Sequence, residues 1–228
     1  KLKGLPLRLA EVDYLQDTAL LCVYREFGRS LVFKGGTCLY KIYKLNRFSE
    51  DLDFSAQKGF KARDFFQRLP YFFNLLGMGS RVGVEQFEKM INVSLGVSGP
   101  LYDGRKESMA RLFFNISLRE RVLLPPGRQP YLPVYRELRP FDLFAMDERE
   151  ILAEKIRAIY GRSKARDVYD AWYLLKIRGV LFDVRLVDKK LSDMPVVSSN
   201  DAIYQDYLAT HMELIRSPLI VRRAIQKP

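Results

Sequence analysis

The reading of this chain turns on "VFKGGTCLYKIYKLNRFSEDLDFS", residues Val32 to Ser55. An apolar strand, Leu31 to Phe33, runs straight into two glycines. A short helical pattern from Thr37 to Leu45 then turns Leu39, Ile42 and Tyr43 inward, and a basic turn, Asn46 to Phe48, leads to a second strand, Asp51 to Ser55. Alternate side chains of a strand share a face, so Asp51 and Asp53 emerge together, about 7 Å apart along the backbone, while Leu52 and Phe54 turn to the core. Two like charges so placed repel one another and call for a positive partner.

Each part of the stretch has a functional and a plain reading. Gly35 and Gly36, lacking Cβ atoms, let backbone approach a ligand closely and leave N–H groups for a phosphate where a helix begins; glycines after a strand also serve as ordinary turns. Asp51 and Asp53 are hard oxygen ligands at a spacing that suits Mg²⁺ carried in on nucleotide phosphates. Their plain reading is a solvated strand face, against which stands the depletion of aspartate in strands. Arg47 and Ser49, on the turn before the pair, are placed to orient phosphate oxygens through charge-assisted hydrogen bonds, or are simply surface residues.

Outward from this stretch, apolar positions at Val12, Leu15, Ala19, Cys22, Val23 and Phe27 predict a helix from Glu11 to Phe27, ended by Gly28. A further helix is expected from Arg63 to Leu76, with Pro70 as a site for a kink. Strands follow at Val82 to Phe87, Met90 to Leu95 and Ala110 to Leu118, the last two joined by a loop at Gly99 to Arg105. Five prolines between Pro125 and Pro140 read as an extended connection. Beyond it the pattern is helical: Asp147 to Tyr160, Ala165 to Ile177 and Ala202 to Arg216. The expectation is an α+β protein, with a small mixed sheet and packed helices over residues 1–124, a proline-rich connection over 125–140, and a mainly helical part over 141–228.

In the first of the late helices, Lys155 falls within the apolar stripe of Ile151, Leu152, Ile156 and Ile159. An inward lysine either snorkels to the surface along its stem or meets an anion such as a triphosphate. In the second, Val168, Ala171, Trp172 and Leu175 read as the core face, with Asp167 and Asp170 on an adjoining one. Asp167, near the helix start, also suits the helix dipole. Arg162, Lys164 and Arg166 make the loop before it basic.

Composition narrows the chemistry. The 228 residues are 48% hydrophobic and 13% aromatic, ample for a packed core and contrary to disorder. A formal charge of +11 attracts polyanions, nucleic acid or nucleotide among them; a basic protein with no such partner is the plain alternative. The sole histidine, His211, rules out a zinc site of several histidines and argues against a histidine-based hydrolase, leaving carboxylates, lysines and arginines. Cys22 and Cys38 lie in helical patterns as small hydrophobes, which fits a reducing cytoplasm. No stretch is apolar enough to span a bilayer and the first residues do not read as a signal peptide, so no membrane association is expected.

Taken in order, a Gly-Gly-Thr turn, an arginine followed by Ser-x-Asp-Leu-Asp-Phe, an Ala-Glu-Lys on a helix and an Arg-Asp-x-x-Asp on the next resemble the AbiEii/AbiGii-type nucleotidyltransferases. These are toxins of type IV toxin–antitoxin and abortive-infection systems within the polymerase β-like superfamily. The motifs run from Phe33 to Leu175. The resemblance implies a nucleotidyltransferase core in which Asp51 and Asp53 are catalytic metal ligands for Mg²⁺ or Mn²⁺. It implies that Lys34, Gly35, Gly36 and Thr37, with Arg47 and Ser49, hold the nucleotide. Lys155 would contact the triphosphate and Asp167 would be a further catalytic acid, with Arg166 and Asp170 beside them. The implied substrate is an NTP, the acceptor an RNA, tRNA included, or a protein hydroxyl, and the further partner a cognate antitoxin.

One departure stands out. Members of the superfamily often carry a third carboxylate on a later strand, where "ARLFFNISLRE" offers Asn115, a weaker, neutral ligand. Either two aspartates suffice, or Glu120 or Asp167 contributes, or catalysis is impaired and the protein only binds nucleotide or RNA. A nuclease using the same aspartates is a third reading, disfavoured by a Gly-Gly-Thr turn and lysine suited to a triphosphate.

Overall fold

The computed structural model describes residues 4–119, 121–161 and 164–192. The expected helix at Ala202 to Arg216, with His211, and the candidates Glu120 and Arg162 lie outside these residues. The chain divides into two units, Lys1–Asp147 and Glu148–Pro228.

The first unit begins with α1 (Leu7–Glu26), then β1 (Leu31–Lys34), α2 (Gly35–Lys41), β2 (Asp51–Ala56) and α3 (Ala62–Leu75), which continues through Pro70. Strands β3 (Ser80–Gln86), β4 (Met90–Val97), β5 (Ala110–Ser117), β6 (Gly127–Tyr131) and β7 (Phe141–Ala145) complete it. All seven form one mixed sheet in the order β3-β4-β5-β2-β1-β7-β6. The pairs β2–β5 and β1–β7 are parallel and the others antiparallel.

The sheet has two unlike faces because its middle strands alternate. Leu52 and Phe54 of β2, Leu112, Phe114 and Ile116 of β5, and Ile91, Val93 and Leu95 of β4 are buried. Phe65 of α3 meets Phe114 with ring centroids 5.6 Å apart, and Phe33 meets Phe54 at 5.4 Å, which places α3 over this apolar face. The opposite face carries Asp51, Asp53, Asn115, Asn92 and Ser94, half-buried. Burial of the apolar row fixes the register, since a slip of one residue would turn every aspartate into the core.

Sheet and helices appear as expected, with three differences. The proline-rich stretch 125–140 contains β6: among the described residues Pro130 sits in an edge strand, paired only with β7, where a missing N–H on the open side costs no ladder bond. Residues 141–145, expected in the helical part, form β7 and join the sheet beside β1 through the register Phe33 to Ala145. The division after Asp147 follows from this.

The second unit holds α4 (Glu148–Gly161), α5 (Ala165–Trp172) followed by a wider π-type turn (Tyr173–Ile177), and α6 (Val184–Ser192), which the sequence reading did not foresee. The face of α5 differs from expectation. Asp167 and Asp170 are fully buried, while Val168 is half exposed.

Candidate active site

The β1–α2 turn is built around its two glycines. Gly35 has φ +73°, a left-handed conformation that disfavours any side chain. A Cβ there would fall 2.2 Å from Asp53 Oδ2 and 2.9 Å from Asp53 Cβ. A Cβ on Gly36 would fall 2.8 Å from both Arg47 Nη2 and Ser49 Oγ. The groups that approach the two glycines closely are the protein's own polar side chains. Thr37 locks the turn from below, its buried hydroxyl donating to the carbonyl of Asp51.

The strand register assembles the rest. Lys34 lies opposite Asp53 in the antiparallel β1–β2 pair, so both side chains rise on one face as cross-strand neighbours, and Lys34 is buried. On the other side Asp53 is in register with Asn115 of β5, whose Nδ2 donates to Asp53 Oδ1 at 2.9 Å. An amide thus braces Asp53 where a third carboxylate would repel it.

Helix α1 holds this arrangement from behind through residues the sequence reading missed. Gln16, fully buried, donates from Nε2 to the carbonyls of Ser49 at 2.9 Å and Glu50 at 2.7 Å, fixing the turn that carries Arg47 and Ser49. On the same helix, Asp13 and Asp17 clamp the ammonium of Lys41 at the end of α2, at 2.9 and 2.6 Å, all three being buried. Tyr131 of β6 donates to Asp17 at 2.7 Å and Tyr135 to Asp13 at 2.9 Å. Burial raises the Asp17 carboxyl above its ordinary range, against the pull of Lys41. Burial, and then the neighbouring aspartates, raise the hydroxyls of Tyr131 and Tyr135. No local signal in the sequence marked Asp13 and Asp17 for burial.

The second unit forms its own cluster. Lys155 Nζ sits between Asp167 Oδ1 at 2.9 Å and Asp170 Oδ2 at 2.7 Å. The anions that an inward lysine requires are thus supplied by α5, and this pairing is what turns both aspartates inward and leaves Val168 outside. Arg166 is exposed. Lys190 of α6 repeats the pattern between Glu150 and Glu154 of α4, at 2.7 and 2.9 Å.

Among the described residues no group of three or more histidine, cysteine, aspartate or glutamate side chains is placed to hold a metal by itself. No helix among them is long and apolar enough to cross a membrane. Cys22 and Cys38 are buried thiols, that of Cys22 pushed up to about 12 by burial.

Comparison with known proteins bears on this arrangement. Residues 19–194 match the family model described as "Nucleotidyl transferase AbiEii toxin, Type IV TA system". Among solved structures, JHP933 from Helicobacter pylori superposes with a TM-score of 0.61 at 21% identity, over 83% of this chain and 80% of that one. A second H. pylori protein, described as a candidate nucleotidyltransferase, gives 0.59 at 22%, over 83% and 82%. At such identities the likeness is one of fold. No curated protein matches the chain in sequence. The family match spans most of the chain and contains every motif residue described above: this protein belongs to the AbiEii family of nucleotidyltransferase toxins of type IV toxin–antitoxin systems.

Proposed function

We propose that the polar face of the first unit's sheet binds an NTP with a divalent cation and transfers its nucleotide to a hydroxyl of an RNA, tRNA being the first candidate. The observation that carries this reading is the packing of Asp53, Arg47 and Ser49 directly against the Cα atoms of Gly35 and Gly36. That packing joins a carboxylate, a guanidinium and a hydroxyl against the backbone of one turn.

The donor set suits Mg²⁺ or Mn²⁺ held jointly with substrate. Asp51 and Asp53 supply two carboxylates on one strand face, and among the described residues no third acid completes a cage, which is the ligand count magnesium takes when phosphate oxygens and water fill the rest. When bound, the cation supplies charge neutralisation on the phosphates and lowers the pKa of an attacking hydroxyl. The chain's own residues do the remainder. Asn115 fixes the rotamer of Asp53; Arg47 and Ser49 offer N–H and O–H donors to phosphate oxygens; Gly35 and Gly36 leave room for the side chains of Asp53, Arg47 and Ser49 to pack against the backbone. An acceptor hydroxyl attacks the α-phosphorus in line, its new P–O bond replacing the bond to pyrophosphate, which departs. The surplus of 38 lysines and arginines over 27 acids favours a polyanionic acceptor. Lys155, Asp167, Asp170 and Arg166 complete the proposal as the family motif's second cluster, and a cognate antitoxin as its cellular partner.

The test is label transfer. Protein, Mg²⁺, each α-labelled NTP in turn and total RNA are resolved on a denaturing gel beside Asp51→Ala. A labelled RNA band that disappears in the variant supports the proposal and names the nucleotide. Shortened RNA without label would replace it with a nuclease. Nucleotide binding without label uptake by RNA or protein would replace it with a binding protein, and Asn115 would be the reason.

A further inference from the structure

Strand β3 closes one end of the sheet, and among the described residues no strand pairs with its outer edge. The other edge strand, β6, carries Pro130 and is blunted by it; β3 has no proline, no lysine and seven consecutive ladder residues. Phe87 N–H donates to Met90 and Ser98 N–H to Gly79, which sets the phase of the β3–β4 ladder. Residues 79, 81, 83, 85 and 87 therefore address β4, and Val82, Val84 and Gln86 direct N–H and C=O outward. The N–H of Ser80 is taken by Asn74 Oδ1 at 3.1 Å.

The strand reads Ser80-Arg81-Val82-Gly83-Val84-Glu85-Gln86, and it is self-complementary about Gly83. We propose that β3 pairs antiparallel with β3 of a second copy, centred on Gly83, so that two sheets join across a two-fold axis. In this register Val82 of one copy and Val84 of the other exchange both backbone hydrogen bonds, and the symmetry repeats the exchange. Arg81 lies opposite Glu85 of the second copy, twice, in the non-hydrogen-bonded positions where Cα atoms approach to about 4.5 Å and side chains are closest. Gly83 meets Gly83 on the axis, where no side chain can clash.

Neighbouring registers lack this fit. Sliding by two residues sets Arg81 against Gly83 or against Phe87 and removes both ion pairs. Sliding by one sets outward-pointing groups against residues whose own groups face β4. The apolar surface agrees: Val82 and Val84 are 38% and 39% exposed, and α3, which packs on β3 through the bond from Ser80 Oγ to Pro70 at 3.1 Å, ends in exposed Tyr71, Leu75 and Leu76. The row Glu85, Asn92, Asn115, Asp53 runs along one face. A two-fold perpendicular to the sheet therefore turns the Asp51 and Asp53 faces of both copies to the same side.

Sedimentation equilibrium of the full chain tests the proposal. Wild type is expected at twice the 26.6 kDa of one chain. Arg81→Glu and Glu85→Arg each set like charges opposite one another twice and are expected to weaken the dimer about tenfold or more. The double variant Arg81→Glu with Glu85→Arg restores the pairing in reversed polarity and regains the wild-type dimer. A monomeric wild type at about 100 μM, well above the micromolar dissociation constants of ordinary interfaces, overturns the proposal. So do single reversals that leave the dimer intact, or a wild-type monomer whose amides at 82 and 84 are protected from hydrogen exchange, which would place another segment of this chain on the edge.

Discussion

Asn115 donates its side-chain amide to Asp53 at 2.9 Å from the neighbouring parallel strand, in register with it. The position where an acid was expected therefore orients an acid, and under the proposed function Asn115 is the hydrogen-bonded partner of a metal ligand. Replacing such partners commonly costs about 10–100-fold in metal affinity or activity. Asn115→Ala is expected to raise the Mg²⁺ concentration for half-maximal label transfer by a factor in this range while leaving the fold intact. Magnesium titration of the transfer assay, with circular dichroism as control, checks it. A variant with an unaltered magnesium requirement would leave Asn115 without this role.

Gly36 makes a narrower claim. Its φ is not in the left-handed region, so alanine is tolerated by the backbone, but the new Cβ would meet Arg47 Nη2 and Ser49 Oγ at 2.8 Å. Both are ends of side chains and can move. Gly36→Ala is expected to raise the KM for NTP about tenfold, equivalent to ~1.4 kcal/mol of lost binding, with kcat and Tm nearly unchanged. Gly35→Ala is the contrasting case: φ +73° and contact with Asp53 Cβ at 2.9 Å make it costly to stability as well. Steady-state kinetics and thermal melts of the two variants separate a binding role from a folding role.

Much of this was legible because strand periodicity is local. Leu52 and Phe54 alternating with Asp51 and Asp53 sufficed to set the carboxylates on one face, and the glycine pair announced a close approach. What closes the site was not legible. Gln16 reaches the carbonyls of Ser49 and Glu50, and Asp13 and Asp17 reach Lys41, across more than 20 residues of sequence. Nothing in the helical pattern of α1 distinguishes such residues from solvated ones. The buried acids of α5 were misplaced for the same reason: a periodicity that counts apolar residues sets Val168 inside, whereas Lys155 draws Asp167 and Asp170 there instead. Strand β6 was hidden by Pro130, which an edge strand tolerates and a central one does not.

Asp17 gives the protein a pH signature. Burial raises its carboxyl above the ordinary 3.8 despite the neighbouring Lys41. The folded state then holds this proton more tightly than the unfolded chain, so across the window just above the ordinary value the native state binds more protons. The contribution of Asp17 to stability falls as pH rises through that window. Asp17→Asn keeps an acceptor for Lys41 and Tyr131 and has no proton to lose. The difference in Tm, variant minus wild type, is expected to grow from about pH 4 to about pH 7. Melts of both proteins across that range check it, and a difference that is flat or falls with pH would contradict the assignment.

Lys155 poses the sharpest separation between structure and chemistry, because its ammonium is already satisfied by Asp167 and Asp170 at 2.9 and 2.7 Å. Removing one partner of a buried ion pair leaves uncompensated charge and costs about 3–5 kcal/mol, whereas replacing the whole group with apolar side chains is often neutral or stabilising. Lys155→Met alone is therefore expected to destabilise the second unit strongly, and loss of transfer in that variant would say little about catalysis. The triple variant Lys155→Met, Asp167→Leu, Asp170→Leu is expected to recover the wild-type melting behaviour. Label transfer measured in that folded protein then decides the matter. If the cluster only ties α4 to α5, transfer returns with the fold; if its charges act on the nucleotide, transfer stays lost in a protein that melts like wild type.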